Sequence, residues 1–190
     1  MKPMDSNDHH IIETRIRSVA AYDGNFLKVR RDDVGLPNGG QAIREYIVHP
    51  GAVVVIAMLD DDHVVMERQY RYAVQRVITE FPAGKLDPGE NPLACAQREL
   101  LEETGYTASE WQHAGDMHLA VGYSDEILHI FFARGLKAGP AQLDPDESLE
   151  VVIMQADDVL QACRDGRITD AKSLSCALWL QNVRDGRWAL

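Results

Sequence analysis

Apolar and polar positions alternate through most of the first 80 residues, and this pattern predicts strands. Residues 10–34, "HIIETRIRSVAAYDGNFLKVRRDDV", predict two strands joined at "YDGN", with Asp23-Gly24 supplying the φ > 0 geometry of a tight hairpin. "LPNGG" (Leu36 to Gly40) is a second turn, and "QAIREYIVH" is a third strand that ends before Pro50. "GAVVVIAML" (Gly51 to Leu59) has no polar face and predicts a buried strand. After the turn "DDDH", "VVMERQYRY" alternates again, and "VITEFPAG" is a short strand entering a Pro/Gly loop. Beyond the next helix, strands are predicted at "WQHAGDMHLAVG", "ILHIFFARGL" and "LEVVIMQ". Two loops separate them, "GYSDE" and the acidic "AGPAQLDPDES". "ADDVLQACRDG" and "DAKSLSCALWLQNV" close the chain as helices. This order argues for an α/β (α+β) sandwich on a mixed sheet rather than a doubly wound parallel one. A boundary is placed near residue 48: residues 1–48 form an antiparallel β appendage and 49–190 the main domain.

The period changes at "NPLACAQRELLEETGY". Asn91 suits an N-cap, Pro92 the first helical position and Gly105 a left-handed stop. Leu93, Ala96, Leu100 and Thr104 make one stripe, with Ala94 and Leu101 beside it. Glu99, Glu102 and Glu103 stand three and four residues apart on the other side. Each such like-charge contact costs a helix about 0.2–0.5 kcal/mol. A solvated face usually mixes signs, and here only Arg98 compensates. A hard divalent cation would turn the repulsion into coordination, because Mg²⁺ takes oxygen ligands from a few carboxylates and from substrate phosphates.

Composition narrows the field further. The 190 residues carry 30 acidic and 19 basic side chains, a formal net charge of −11. Such a surface repels nucleic-acid backbones, while a small phosphorylated ligand can still be held by a few arginines in a cleft. No apolar run reaches the length of a membrane span, and "MKPMDSNDHH" does not resemble a signal peptide. Cys95, Cys163 and Cys176 show neither disulfide nor metal spacing and are expected to be structural thiols of a reduced, cytoplasmic protein. His113, His118 and His129 fall on predicted strands without ligand spacing, and Trp111 and Trp179 are expected to pack.

The stretch Gly84 to Tyr106 resembles the Nudix box, Gly-x5-Glu-x7-Arg-Glu-U-x-Glu-Glu-x-Gly-U with U aliphatic. Gly84, Glu90, Arg98, Glu99, Leu100, Glu102, Glu103 and Gly105 fall in register, and only Tyr106 departs, at the last aliphatic position. The resemblance implies a Nudix-type α/β/α sandwich and hydrolysis of nucleoside diphosphates linked to another group. It further implies Glu99 and Glu103 as the main metal ligands, helped by Glu102 and the main-chain carbonyl of Ala83. Glu90 and Arg98 would brace the loop and helix. The ion would be Mg²⁺, with Mn²⁺ an alternative.

The flanks "REYIVHPGAVVVI", "VVMERQYRY", "TEFPAGKLDPGE", "GYSDE" and "GRITDAKSL" resemble bacterial ADP-ribose pyrophosphatases. That resemblance implies Glu126 as the general base and Arg71, then Arg68, as contacts of the pyrophosphate. It also implies a homodimer that exchanges the β appendage, with Arg44 reaching a partner's ligand. Tyr22 and Phe26 are candidates for stacking on a base. One departure bears on specificity: many ADP-ribose enzymes have Ser-Pro before the loop glycine, where this chain has Ala120-Val121-Gly122. Other nucleotide sugars, dinucleotides such as NADH or FAD, and a non-catalytic ADP-ribose-binding module remain as alternatives.

Overall fold

The computed structural model describes residues 8–143, 145 and 147–190. Asp144 and Asp146 of the acidic loop, and the first seven residues of the N-terminal stretch, lie outside the described residues. The chain divides into two compact units, one running to His49 and including Ala120–Glu126, the other formed by Pro50–Leu119 and Ile127–Leu190.

The first unit is an antiparallel sheet of β1 (Thr14–Asp23), β2 (Lys28–Gly35) and β3 (Gln41–Val48), in that order. The β1–β2 connection differs from the expected tight hairpin. It spans four residues, with the Gly24 N–H donating to the Leu27 carbonyl at 3.0 Å, and Gly24 is not among the glycines at positive φ. What requires glycine there is close approach: a Cβ would lie 2.5 Å from the Tyr22 ring. The "LPNGG" turn does use a left-handed glycine, Gly39, at φ 85°. The segment Ala120–Glu126 is tied to β3. Ile47 N–H donates to the Tyr123 carbonyl, Asp125 N–H to the Ile47 carbonyl, and His49 N–H to Asp125 Oδ1 at 2.7 Å.

The second unit centres on a mixed sheet. Its path is β10 (Leu149–Gln155), β5 (His63–Arg71), β4 (Ala52–Met58), β9 (Leu128–Ala138) and β8 (Tyr106–Met117). The short strands β6 (Arg76–Glu80) and β7 (Ala83–Lys85) pair with β5 and β4. Among the described residues of this sheet, only β4 and β9 run parallel. All seven residues of β4 are buried, as expected of a strand covered on both faces. Its even-numbered residues Val54 and Ile56 pack with α2 (Ala156–Arg164) and α3 (Ala171–Arg184), and Val53 and Val55 pack with α1 (Pro92–Thr104). Each such buried Val or Ile contributes about 1.5–3 kcal/mol of hydrophobic stabilisation. The result is the expected α/β/α sandwich. Two predicted boundaries move. β8 begins directly after Gly105 and stops at Met117, and the Pro/Gly loop contains the strand β7.

Candidate active site

Loop and helix geometry set the site. Asn91 Oδ1 accepts from Leu93 N–H at 2.9 Å, and Gly105 closes α1 at φ 74°. The buried face differs from the apolar stripe. Leu93 is exposed, while Cys95, Ala96, Leu100, Glu103 and Thr104 are buried. Glu103 therefore does not share a solvated face with Glu99 and Glu102; it sits inside the fold at 3% exposure.

Arg98 is the hub that holds the loop on the helix. Its Nε donates to Glu90 Oε1 and its Nη2 to Glu90 Oε2, both at 2.9 Å. Nη1 reaches Glu99 Oε1 at 2.8 Å and Glu102 Oε2 at 2.9 Å, and Nη2 also donates to the Lys85 carbonyl. The fork geometry of a guanidinium allows one side chain to serve three carboxylates. Arg98 holds the Glu90 carboxyl at about 2. Burial pushes Glu99 up despite Arg98 beside it. Two loop residues close on the helix. Ala83 N–H donates to Glu103 Oε2 at 3.1 Å, and a Cβ on Gly84 would lie 1.9 Å from Glu99 Cδ.

Below Glu103 lies a group that residue patterns along the sequence do not reveal. Glu67 on β5 is fully buried, opposite the buried Glu80 on β6. Glu80 is held by Arg71 Nε at 2.7 Å and by Lys172 Nζ, which also donates to Asp170. Among the described residues no N–H or hydroxyl reaches either oxygen of Glu67, and the side chain that meets it is the carboxyl of Glu103. Burial and then the Glu80 charge raise its pKa, against the pull of Lys172 and Arg71. Burial likewise raises Glu103, with the charges of Glu67, Glu99 and Glu147 adding to it. Neighbouring Glu67 and Glu103 are therefore disposed to share a proton, or to accept a cation in its place. Orphaned buried oxygens, an acidic trio and a glycine cradle suit a hard divalent cation with oxygen ligands.

The other candidate residues fall in several places. Arg71 lies on the same face of β5 as Glu67, four residues further on, oriented by Glu80. Arg68 alternates to the opposite face and pairs with Glu150 on β10 at 2.6 Å, so the strand does not bring it to these carboxylates. Arg44 is in the first unit, paired with Glu13 through two nitrogens. Glu126 is also in the first unit, 3.7 Å from His49 Nδ1. Glu147, on the loop before β10, is brought within electrostatic reach of Glu99 and Glu103. Its acidic loop carries no helical or strand period, so the sequence offers no signal that would have found it.

A sandwich whose loop and helix gather carboxylates around one arginine suits a hydrolase that works with a divalent cation. The chain belongs to the Nudix family: residues 48–175 match the NUDIX domain, and residues 13–47 match the nucleoside diphosphate sugar hydrolase N-terminal domain. It is 40% identical over 171 residues to a methanol dehydrogenase activator of Bacillus methanolicus. It is 38% identical over 171 residues to an ADP-ribose pyrophosphatase of Bacillus subtilis. Both alignments cover 89% of this chain and 92% of the relative. The crystal structure of an ADP compounds hydrolase superposes with a TM-score of 0.80 at 25% identity, covering 93% of this chain and 97% of that one.

Proposed function

We propose that this Nudix hydrolase cleaves the pyrophosphate of ADP-ribose to AMP and ribose 5-phosphate, with Mg²⁺ as the working ion and Mn²⁺ as an alternative. The observation that carries the proposal is the intact carboxylate cluster of α1 set over the orphaned oxygens of Glu67. The ADP-ribose pyrophosphatase relative supports the choice of substrate. Glu99 and Glu103 would hold the cation, helped by Glu102 and the Ala83 carbonyl. A divalent ion there supplies charge stabilisation to the phosphate oxygens. Arg98 positions Glu99 and Glu102, and Arg71 pairs with the pyrophosphate. Water forms the new P–O bond as the bridging P–O bond breaks, and the leaving phosphate carries away the electron pair. Glu126 takes the proton of that water. Glu147 is the rival base, because its charge already acts on Glu99 and Glu103.

Ala120-Val121 favours a second reading in which another nucleotide sugar or dinucleotide is preferred. A substrate panel decides: ADP-ribose, GDP-mannose, UDP-glucose, NADH, FAD and diadenosine polyphosphates, with Mg²⁺ and with chelator, scored by released mononucleotide. ADP-ribose dominates and chelator abolishes turnover if the proposal holds. A different best substrate overturns the specificity. Ligand binding without turnover moves the chain to the binding-module class.

The functional unit is a cytoplasmic homodimer built through the N-terminal sheet, with Arg44 reaching the partner's ligand and Tyr22 or Phe26 under the base. Support comes from β1, where nine of ten residues are exposed, and from Ile16 and Ile43 at 56% and 50% exposure. Such apolar exposure suits a covered surface. Sedimentation at micromolar concentration checks it, and a monomer would refute it. Among the described residues no helix is long and apolar enough to cross a membrane.

A further inference from the structure

His113, Asp116 and His129 have no ligand spacing along the chain, yet the sheet brings them together. His113 and Asp116 are both on β8, three residues apart, where strict alternation would send them to opposite faces. A β-bulge between His113 and Gly115 adds one residue and restores them to the same face. His129 stands directly opposite Asp116 on β9. His113 Nε2 lies 2.9 Å and His129 Nδ1 2.7 Å from the same oxygen, Asp116 Oδ1. The three potential ligand atoms all lie within 4.8 Å of one another. The His113 ring is backed by Phe131, with centroids 5.3 Å apart, which limits where the imidazole can go. Burial tends to raise Asp116, but hydrogen bonds from His129 and His113 hold it below the usual carboxylate range.

We propose that His113, Asp116 and His129 form a second cation site, separate from the carboxylates of α1, that takes a borderline transition ion of the Zn²⁺ class. Two imidazole nitrogens and one carboxylate oxygen are the donor set that such ions prefer, whereas Mg²⁺ selects all-oxygen surroundings. A tetrahedral ion with bonds of about 2.0–2.1 Å needs ligand atoms roughly 3.3 Å apart. The two His–Asp separations reach that by opening about half an ångström. The remaining coordination position is left to water. The site has a mechanical consequence. Asp116–His129 is the rung just inside Met117–Leu128, the last pair of the β8–β9 ladder. A bound ion would therefore clip the two strands where they flank residues 118–127, which include Glu126.

The test uses the full chain, stripped with chelator and titrated with Zn²⁺ against a chromophoric chelator, then with Co²⁺ followed by its visible ligand-field bands. One equivalent binds beyond any held by the α1 carboxylates, and it gives with Co²⁺ the intense bands of a four-coordinate site. His113→Ala, Asp116→Asn and His129→Ala each weaken Zn²⁺ binding by more than about tenfold, since loss of even a supporting group costs a metal site that much. Glu103→Gln, and the double change His9→Ala with His10→Ala, leave that equivalent in place. Zn²⁺ raises the melting temperature of the parent protein and not of His129→Ala. The three positions are at least partly exposed, so the variants keep their fold, which circular dichroism verifies. Equal binding by parent and His129→Ala, loss only in Glu103→Gln, or no bound equivalent at all would each overturn the proposal. None of these readouts depends on turnover.

Discussion

Gly84→Ala isolates the role of the cradle under α1. The backbone at Gly84 is not left-handed, so alanine brings no strain of its own. Its Cβ would stand 1.9 Å from Glu99 Cδ and 2.0 and 2.3 Å from the two oxygens. Ordinary contact begins near 3.4 Å, so the carboxylate must withdraw by the difference, about 1.5 Å. The atoms that move belong to the end of a flexible side chain. The fold should therefore lose only about 0.5–1.5 kcal/mol, the scale of one displaced rotamer. The chemistry should lose far more. Mg–oxygen bonds of 2.0–2.1 Å do not stretch to follow a ligand that far, and a 1 Å misplacement is worth about 10²-fold in rate. The assay is kcat/KM for ADP-ribose across a Mg²⁺ titration, beside a thermal melt and Mn²⁺ binding by electron paramagnetic resonance. A roughly hundredfold loss with weakened Mn²⁺ binding and a near-parental melt is expected. Metal affinity unchanged and kcat/KM within about threefold of the parent would refute the assignment of Glu99 as a ligand.

Glu103→Gln keeps the shape and removes a ligand charge, so turnover should fall by orders of magnitude while the fold survives; near-normal kcat would end the metal assignment. Glu126→Gln should lower kcat more than it changes KM if this residue is the base, and Glu147→Gln should do so instead if the rival is correct; steady-state kinetics on both separates them. Lys172→Met leaves the buried Glu80 with Arg71 alone and should cost about 3–5 kcal/mol in urea unfolding; a loss below about 1 kcal/mol would mean that the lysine does not balance this buried charge. Glu67→Gln tests the orphaned carboxyl in chelator-treated protein. Because the folded pKa is raised, the folded chain holds a proton that the unfolded chain releases, and stability falls as pH rises from the ordinary carboxylate range through the folded value. Urea melts between about pH 5 and 8 should show that fall in the parent and a flatter profile in Glu67→Gln; identical profiles would show that Glu67 does not titrate there.

The parts of this molecule legible in the sequence are those fixed by local chemistry. The cap at Asn91, the proline after it and the glycine at 105 each act through their own backbone, so α1 is bounded as its residues suggest. The same holds for β4, whose unbroken apolar run admits no solvent-facing side. What the sequence hides depends on partners far along the chain. By spacing Glu103 belongs with Glu99 and Glu102, yet it is buried, its carboxylate accepting from the Ala83 N–H. On β5, Glu67 and Arg68 are adjacent polar residues that face opposite sides of the sheet, yet Glu67 is fully buried while Arg68 bonds across to β10. The histidine cluster needs both a bulge and a strand register, neither of which is written in residue spacing.

The like charges on α1 have a physical resolution in this arrangement. Arg98 neutralises the part of the cluster that faces the loop, binding Glu90, Glu99 and Glu102 together. It makes no such bond to Glu103, on which the charges of Glu67, Glu99 and Glu147 bear, with Arg71 the cation that faces it from β5. Evolution of stability alone would place an apolar residue at 67, since a buried carboxyl without donors costs free energy that packing would recover. Under the proposed function, a glutamate there would make the metal-free state the poorer one and tie part of the fold's stability to cation binding. The repulsion on the helix and the buried acid beneath it would then be relieved together by one cation supplied from solution, which is what the Glu103→Gln and Glu67→Gln variants test.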